Sequence, residues 1–444
     1  MSVIQQATLR SRAATLLDRY QHVRKMSQRL VESLSPEDAA VQSMPDASPA
    51  KWHLAHTTWF FETFLLKPRG ASGSVGNAYR SPNAAFEVLF NSYYNTVGEQ
   101  HPRPQRGLLS RPSFDEVLAY RAAVDEVMSD WLVAGVDPET ADLVAIGLNH
   151  EQQHQELLLT DIKHALGGNP LEPAYRSDPR EDATVTRRLT WTEHAGGVQE
   201  IGHRTRFGGD AFERFAFDNE SPRHEVLLQD YEIADRPVTS GEFLAFIADG
   251  GYETPTLWLS EGWATVQREG WFAPLYWASH DGDWSEYTTA GRTPLDPGAP
   301  VTHLSYYEAD AFARWSGARL PTEAEWENAC AASIEADAPT GAFADERLTR
   351  RRAIQPTAAA PDEQGPQQFL GGVWEWTASP YTPYPGYKPA PGALGEYNGK
   401  FMVNQQVLRG GSCATPSRDH VRPTYRNFFP APARWQFSGV RLAR

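Results

Sequence analysis

The chain has 444 residues, a length that suits two or three domains with cores of their own. Its 56 acidic side chains outnumber 41 Lys and Arg, and the net charge of −15 repels phosphate backbones and anionic lipid, so no nucleic acid is expected as a partner. Two cysteines, Cys330 and Cys413, are too few for a disulfide framework and fit a reducing, cytoplasmic setting. The N-terminus lacks an apolar core of signal-peptide length, and no run approaches the ~18 apolar residues of a spanning helix, so no membrane partner is expected either.

In chain order, helical periodicity comes in four blocks, roughly 8–35, 49–67, 113–134 and 138–166, which predicts a four-helix bundle. Ser48-Pro49 and Asp137-Pro138 mark two of the starts, each an N-cap followed by proline at the first helical position. Between the second and third blocks runs "KPRGASGSVGNAYRSPNAAFEVLFNSYYNTVGEQHPRPQRGLLSRPS", far longer than the about 2–8 residues of an ordinary bundle connection. Its Phe, Tyr, Leu and Val have surface to bury, so an ordered functional loop is expected. After the fourth block, "GNPLEPAYRSDPREDATVT" is polar and proline-bearing, as linkers are; the expected domains are 1–180 and 181–444. Beyond it Trp, Tyr, Gly and Pro dominate, strands are short and helices are limited to segments such as 239–248 and 305–316, an α+β texture.

Residues 149–156, "NHEQQHQE", contain H-E-x-x-H, by which one helix offers two imidazoles to zinc with a glutamate as general base. A pattern with two wildcards recurs by chance, and Glu151 projects about 100° around the helix from His150. Leu143, Ile146, His150, His154, Leu157 and Asp161 share one stripe, which puts both histidines toward the bundle interior. In "SPAKWHLAHTTWFFETF", Trp52, His56, Trp59 and Thr63 make a stripe, with His53 on a neighbouring face beside Phe60 and Phe64; either histidine is a candidate third imidazole. Three imidazoles from two helices leave coordination positions open and suit zinc or iron alike. A zinc peptidase and a plain hydrogen-bonded histidine pair remain the alternatives at this point.

Those blocks, together with "LFNSYYNTVGEQHPRPQRGLLSRP", "FAFDNESPRHEV", "RLPTEAEWE", "GGVWEWT", "GEYNGKFMVNQQVLRGGSCATP" and "RPTYRNFFPAPARWQFSGVRLA", resemble the EgtB-like non-haem iron sulfoxide synthases of ergothioneine biosynthesis across nearly the whole chain. The resemblance implies a multidomain α and α+β protein: an N-terminal DinB-like helical bundle and a C-terminal C-type-lectin-like domain similar to formylglycine-generating enzymes. It implies Fe(2+) held by His56, His150 and His154, with His53 left to packing. Gln153 and Asn427 match positions that contact hercynine, and Arg103 and Arg106 match arginines that hold the carboxylate of the sulfur donor. Tyr93 and Tyr94 match a catalytic tyrosine pair of the subgroup whose tyrosines come from this loop, with Tyr94 as proton donor and Tyr93 supporting. Phe428 and Phe429 stand where users of γ-glutamylcysteine carry an Asp two positions after Asn427, which favours free cysteine. The implied reaction joins hercynine to that thiol with O2 and yields a sulfoxide. Selenosugar coupling to hercynine, γ-glutamylcysteine use and, from the C-terminal motifs alone, a formylglycine-generating oxidase with a copper-binding cysteine pair are the other implied activities. Gly372 in "LGGVWEWT" departs from the Asn or Asp usual in the family.

Overall fold

The computed structural model describes residues 15–70, 79–181, 187–204, 211–336, 338, 340–361 and 365–444. The start of the first expected helix, 8–14, and part of the linker, 182–186, lie outside the described residues. The chain divides into two compact units, Met1–Leu158 with Gly208–Phe215, and Leu159–Phe207 with Ala216–Arg444. Among the described residues no helix is long and apolar enough to cross a membrane.

The first unit is built on α1 (Leu16–Val31), α2 (Ala50–Phe61), α3 (Phe114–Ala134) and α4 (Pro138–Gly167), whose residues up to Leu158 belong to it. Capping boxes start α1, from Thr15 to Asp18, and α3, from Ser113 to Glu116, each satisfying backbone N–H groups that the first turn leaves orphaned. Asp137 accepts from the Thr140 N–H at 2.8 Å and opens α4 as the sequence implies. The start of α2 differs: Pro49 occupies the cap position, and Ser48 lies outside the helix with its hydroxyl accepting from Arg106 at 2.9 Å. Ser48 is drawn to a buried guanidinium rather than to the helix end.

Every residue of α2 is buried, so it is a core helix with no solvent face to orient it. It runs into a π-helical turn, Glu62–Leu66, where the widened backbone presents Glu62 to the hydroxyls of Tyr79 (2.9 Å) and Tyr120. On α4 the deepest face is Val144, Leu148, Glu151, Gln155 and Leu158, each at most 2% exposed. His150 adjoins it, whereas Leu143, Ile146, His154 and Leu157 of the expected inward stripe are only half-buried. Apolar periodicity misses this face because two of its members are polar and satisfied by other helices: Gln155 donates to the Val23 carbonyl (2.8 Å) and to Ser27 (2.9 Å), and Glu151 binds arginines.

The second unit is α+β. Its described helices include α5 (Ser240–Ala248), α6 (Ser260–Glu269), α7 (Tyr306–Trp315) and α8 (Glu323–Glu335). Thr239, Ser305 and Thr322 start α5, α7 and α8 with capping boxes. Strands β1 (Trp191–His194) and β4 (Tyr231–Ala234) pair, as do β2 (Gly197–Ile201) and β3 (His224–Leu228), while β5 (Trp277–His280), β6 (Asp283–Thr288) and β7 (Gly291–Pro294) form a meander. The remaining strands, β8 (Trp374–Pro380), β9 (Gln406–Arg409), β10 (Asn427–Phe429) and β11 (Ser438–Gly439), lie in the order β10-β9-β8-β11, with β11 parallel to β8.

Buried ion pairs explain several of the quoted motifs. Glu323 of "RLPTEAEWE" accepts from Arg409 of "VLRGGS" (3.0 Å) and Arg426 of "TYRNFF" (2.9 Å), and Glu375 of "VWEWT" accepts from Arg441 of "GVRLA" (2.8 Å). These contacts tie α8, β9, β10 and the C-terminal segment into one core. Gly371 and Gly372 have φ of +81° and +80°, the left-handed region that glycine enters freely and that Asn and Asp enter more readily than other side chains. A Cβ on Gly372 would meet only the Gly341 Cα at 3.8 Å, so this position accepts Gly, Asn or Asp for one and the same backbone reason.

Candidate metal centre

His56 from α2 and His150 and His154, one turn apart on α4, bring their ligating atoms within 4.8 Å of one another. His56 Nε2 lies 3.2 Å from His150 Nε2. Behind it, His56 Nδ1 is 2.6 Å from the Phe90 carbonyl, which only accepts, so Nδ1 carries the proton and Nε2 keeps its lone pair for the cluster. His154 Nδ1 is 2.9 Å from His53 Nδ1. Trp52 and Trp59 each stack on the His56 ring, at 4.7 and 5.6 Å, and Phe60 tilts against His150 at 4.9 Å. The i, i+4 and i+7 spacing of Trp52, His56 and Trp59 on one helix makes this packing possible.

Burial, and then the neighbouring imidazoles, hold His56 and His154 well below the usual histidine range. His150 is pushed down to about 3 by burial, against the pull of Glu151. All three rings are therefore neutral at neutral pH, the form that ligates metal. Converging imidazole nitrogens suit a divalent first-row ion such as iron or zinc, and with three protein ligands positions remain for substrates.

Glu151 has a different task. Its carboxylate accepts from Arg24 (2.8 Å), Ser27 (2.5 Å) and Arg121, all of them buried. Burial pushes its pKa up, but Arg121 and Arg24 outweigh burial and hold it at about 2. A carboxylate so acidic and so enclosed is a poor proton acceptor, which removes the general base that an H-E-x-x-H peptidase needs. The glutamate of the motif clamps α1, α3 and α4 together.

Residues 19–158 match the DinB superfamily, and residues 195–444 match the sulfatase-modifying factor enzyme 1-like domain. A hercynine oxygenase of Mycolicibacterium smegmatis is 34% identical over 97% of this chain and 98% of its own length. The chain belongs to the hercynine oxygenase family. A second member, from Mycobacterium tuberculosis, is 33% identical over 95% of this chain and 97% of its own. Ergothioneine biosynthesis protein 1 of Schizosaccharomyces pombe is 27% identical over 61% of this chain and 33% of its own length.

The other residues singled out by the family motifs fall in four places. Tyr94 is fully buried against Trp59 (5.6 Å) and Phe64 (5.3 Å), and the half-buried Tyr93 stacks on it at 4.8 Å. Arg106 is also buried, with its Cζ over the Trp52 ring, 3.3 Å from the ring centre. The structure thus brings Tyr94 and Arg106 to the aromatic shell of His56, each separated from it by one tryptophan. Arg103 is exposed and donates to the Asp46 carbonyl, outside that shell. Gln153 is half-buried beside His154 on α4. Asn427, Phe428 and Phe429 are in the second unit on β10, where Phe428 stacks on Tyr381 at 4.0 Å and Phe429 meets Trp435 edge-on at 5.6 Å.

Two contributors escape the motif reading. Asn91 donates to the carbonyls of Tyr94 (3.0 Å), Gly98 and Glu99 (both 3.2 Å) and accepts from the Tyr94 N–H (3.0 Å), which fixes the turn carrying the tyrosines; an Asn opening "NSYYN" is the available signal. His53, assigned to packing from the motif, is 3% exposed and touches His154 through a ring nitrogen. As for a copper-binding cysteine pair, Cys330 and Cys413 are both buried, and burial pushes the Cys330 thiol up, away from the thiolate that binds metal.

Proposed function

We propose that the protein forms a C–S bond between hercynine and a thiol, L-cysteine, using O2 and an Fe(2+) ion held by His56, His150 and His154. Membership of the hercynine oxygenase family makes the chain an oxygenase of ergothioneine biosynthesis; the iron, the thiol and the sulfoxide product are the proposal. The observation that carries it is the convergence of the ligating atoms of three imidazoles within 4.8 Å of one another. The reaction balances without an external reductant: a ring C–H and an S–H are lost, one oxygen of O2 ends on sulfur and the other in water.

A ferrous ion there would activate O2 and favour the deprotonated thiol. The chain's own residues do the rest. Arg106 offers a planar guanidinium to the donor carboxylate, a task shared with Arg103 in the family motif. Trp52 and Trp59 stack on His56, and with Tyr94 packed on Trp59 they exclude water. The Tyr94 hydroxyl supplies a proton during C–S coupling, and Tyr93, stacked on it, holds its ring in place. Gln153 is the proposed polar contact to hercynine from α4. For Asn427, Phe428 and Phe429 the proposed roles in substrate selection rest on the family motif, with the apolar pair favouring cysteine over a donor that needs an acidic partner.

The test is anaerobic loading with Fe(II), followed by O2 with hercynine and, in separate arms, cysteine, γ-glutamylcysteine or a selenosugar, with products read by mass spectrometry. The hercynine–cysteine sulfoxide adduct is expected to dominate. Absence of a hercynine-dependent product with every donor ends the proposal; dominance of another donor moves the assignment to that donor. In Tyr94→Phe the adduct is expected to fall by about 10²–10⁴ while O2 uptake with thiol persists.

A further inference from the structure

We propose that His53 is a positioning residue for the metal: it accepts a hydrogen bond from the Nδ1–H of His154 and so holds His154 in the tautomer whose Nε2 lone pair serves the cluster. This rests on the reading that His56, His150 and His154 bind a metal ion.

His56 and His154 each have a partner on Nδ1, and the partners differ in kind. Behind His56 stands the Phe90 carbonyl at 2.6 Å, an oxygen that can only accept; the tautomer of His56 is dictated by the backbone. Behind His154 stands another imidazole, with Nδ1 to Nδ1 at 2.9 Å and ring centroids 5.2 Å apart. Such a pair has two proton arrangements. If His154 donates, its Nε2 carries the lone pair and ligates, and His53 must hold its own proton on Nε2. If His53 donates, His154 Nε2 is protonated and cannot ligate. The cluster functions only in the first arrangement, so His53 acts as an acceptor in the way that a carbonyl or carboxylate does behind other metal-bound histidines.

The placement follows from α2. His53 and His56 are three residues apart on neighbouring faces of α2, and both meet α4, so one helix delivers a ligand and the partner of another ligand. A side chain that filled the His53 volume without an acceptor would leave the Nδ1–H of His154 without this partner.

The test uses Co(II) alone as the probe, titrated into the metal-free full-length protein and read by its visible absorption. His53→Phe is expected to weaken Co(II) binding about 10–100-fold, whereas His53→Asn, whose Oδ1 sits where Nδ1 sits and only accepts, stays within roughly threefold of wild type. In the Zn(II)-loaded wild-type protein, 15N chemical shifts are expected to show His154 protonated on Nδ1 and His53 unprotonated there. This second measurement stands even where a variant fails to fold. Equal Co(II) affinity in wild type and His53→Phe, no recovery in a folded His53→Asn, or the reversed protonation overturns the inference. Those results leave the metal centre itself standing, whereas failure of the wild-type protein to take up Co(II) removes the metal centre and this inference together.

Discussion

The ion-pair core of the second unit and the histidine cluster of the first bury polar side chains to opposite ends. In the second, Glu323 meets Arg409 and Arg426, and Glu375 meets Arg441, so each buried carboxylate has a guanidinium against it and the charges close on themselves. Around His56 three neutral imidazoles come together with no carboxylate among them, and their lone pairs converge. The first arrangement is complete as protein; the second gains most from a cation. The same contrast is drawn between neighbours on α4, since His150 turns to the cluster and Glu151 to Arg24 and Arg121. Membership of a motif therefore does not say what a residue does; its partners across the fold do.

Five perturbations test that contrast. His56→Ala should have the largest effect, abolishing Fe(II) or Co(II) uptake and with it turnover; a variant that still holds one ion per chain would break the equation of converging lone pairs with a metal site. Next, Glu151→Gln should cost about 3–5 kcal/mol in urea denaturation because Arg121 is left buried with its charge uncompensated, while Arg24 keeps Asp125 and metal uptake persists. Unchanged stability with lost turnover would instead return Glu151 to the chemistry.

Acid should weaken the second unit through its buried histidines. Burial, followed by Arg422, holds His420 down to about 3, and burial, followed by Lys163, holds His303 well below the usual value. In the unfolded chain both take up protons near about 6.5, so the stability is full above that pH and is lost as pH falls from ~6.5 toward ~3. The denaturation midpoint should drop between pH 7 and pH 5, and His420→Phe should flatten part of the drop; a midpoint independent of pH contradicts the assignment. The smallest effect belongs to Gly372→Asn, expected within about 1 kcal/mol of wild type because Asn tolerates the left-handed backbone. Gly371→Ala, whose Cβ would meet the Ala342 and Gly341 carbonyls at 2.9 Å, should cost more, about 1–3 kcal/mol by thermal denaturation.

The helices of the first unit were legible because their signals are local. Periodicity marked α3 and α4 nearly to the residue, and Asp137 opened α4 as expected. The pairing of His150 with His154 was equally plain, since four residues of helix bring two side chains to one face whatever surrounds them. The choice between His53 and His56 was not, because a helix buried on every side has no polar face to serve as reference, and only the family motif favoured His56. Tertiary structure shows both histidines at work on α4: His56 within the cluster, and His53 against His154. It also pairs Glu151 with Arg24 and Arg121, 127 and 30 positions away, and sets the Phe90 carbonyl behind His56. The sequence by itself determined which side chains each helix carries and how they are spaced. What those side chains meet was left to the packing of helices far apart in the chain, since a backbone carbonyl or a distant arginine leaves no mark on the local pattern.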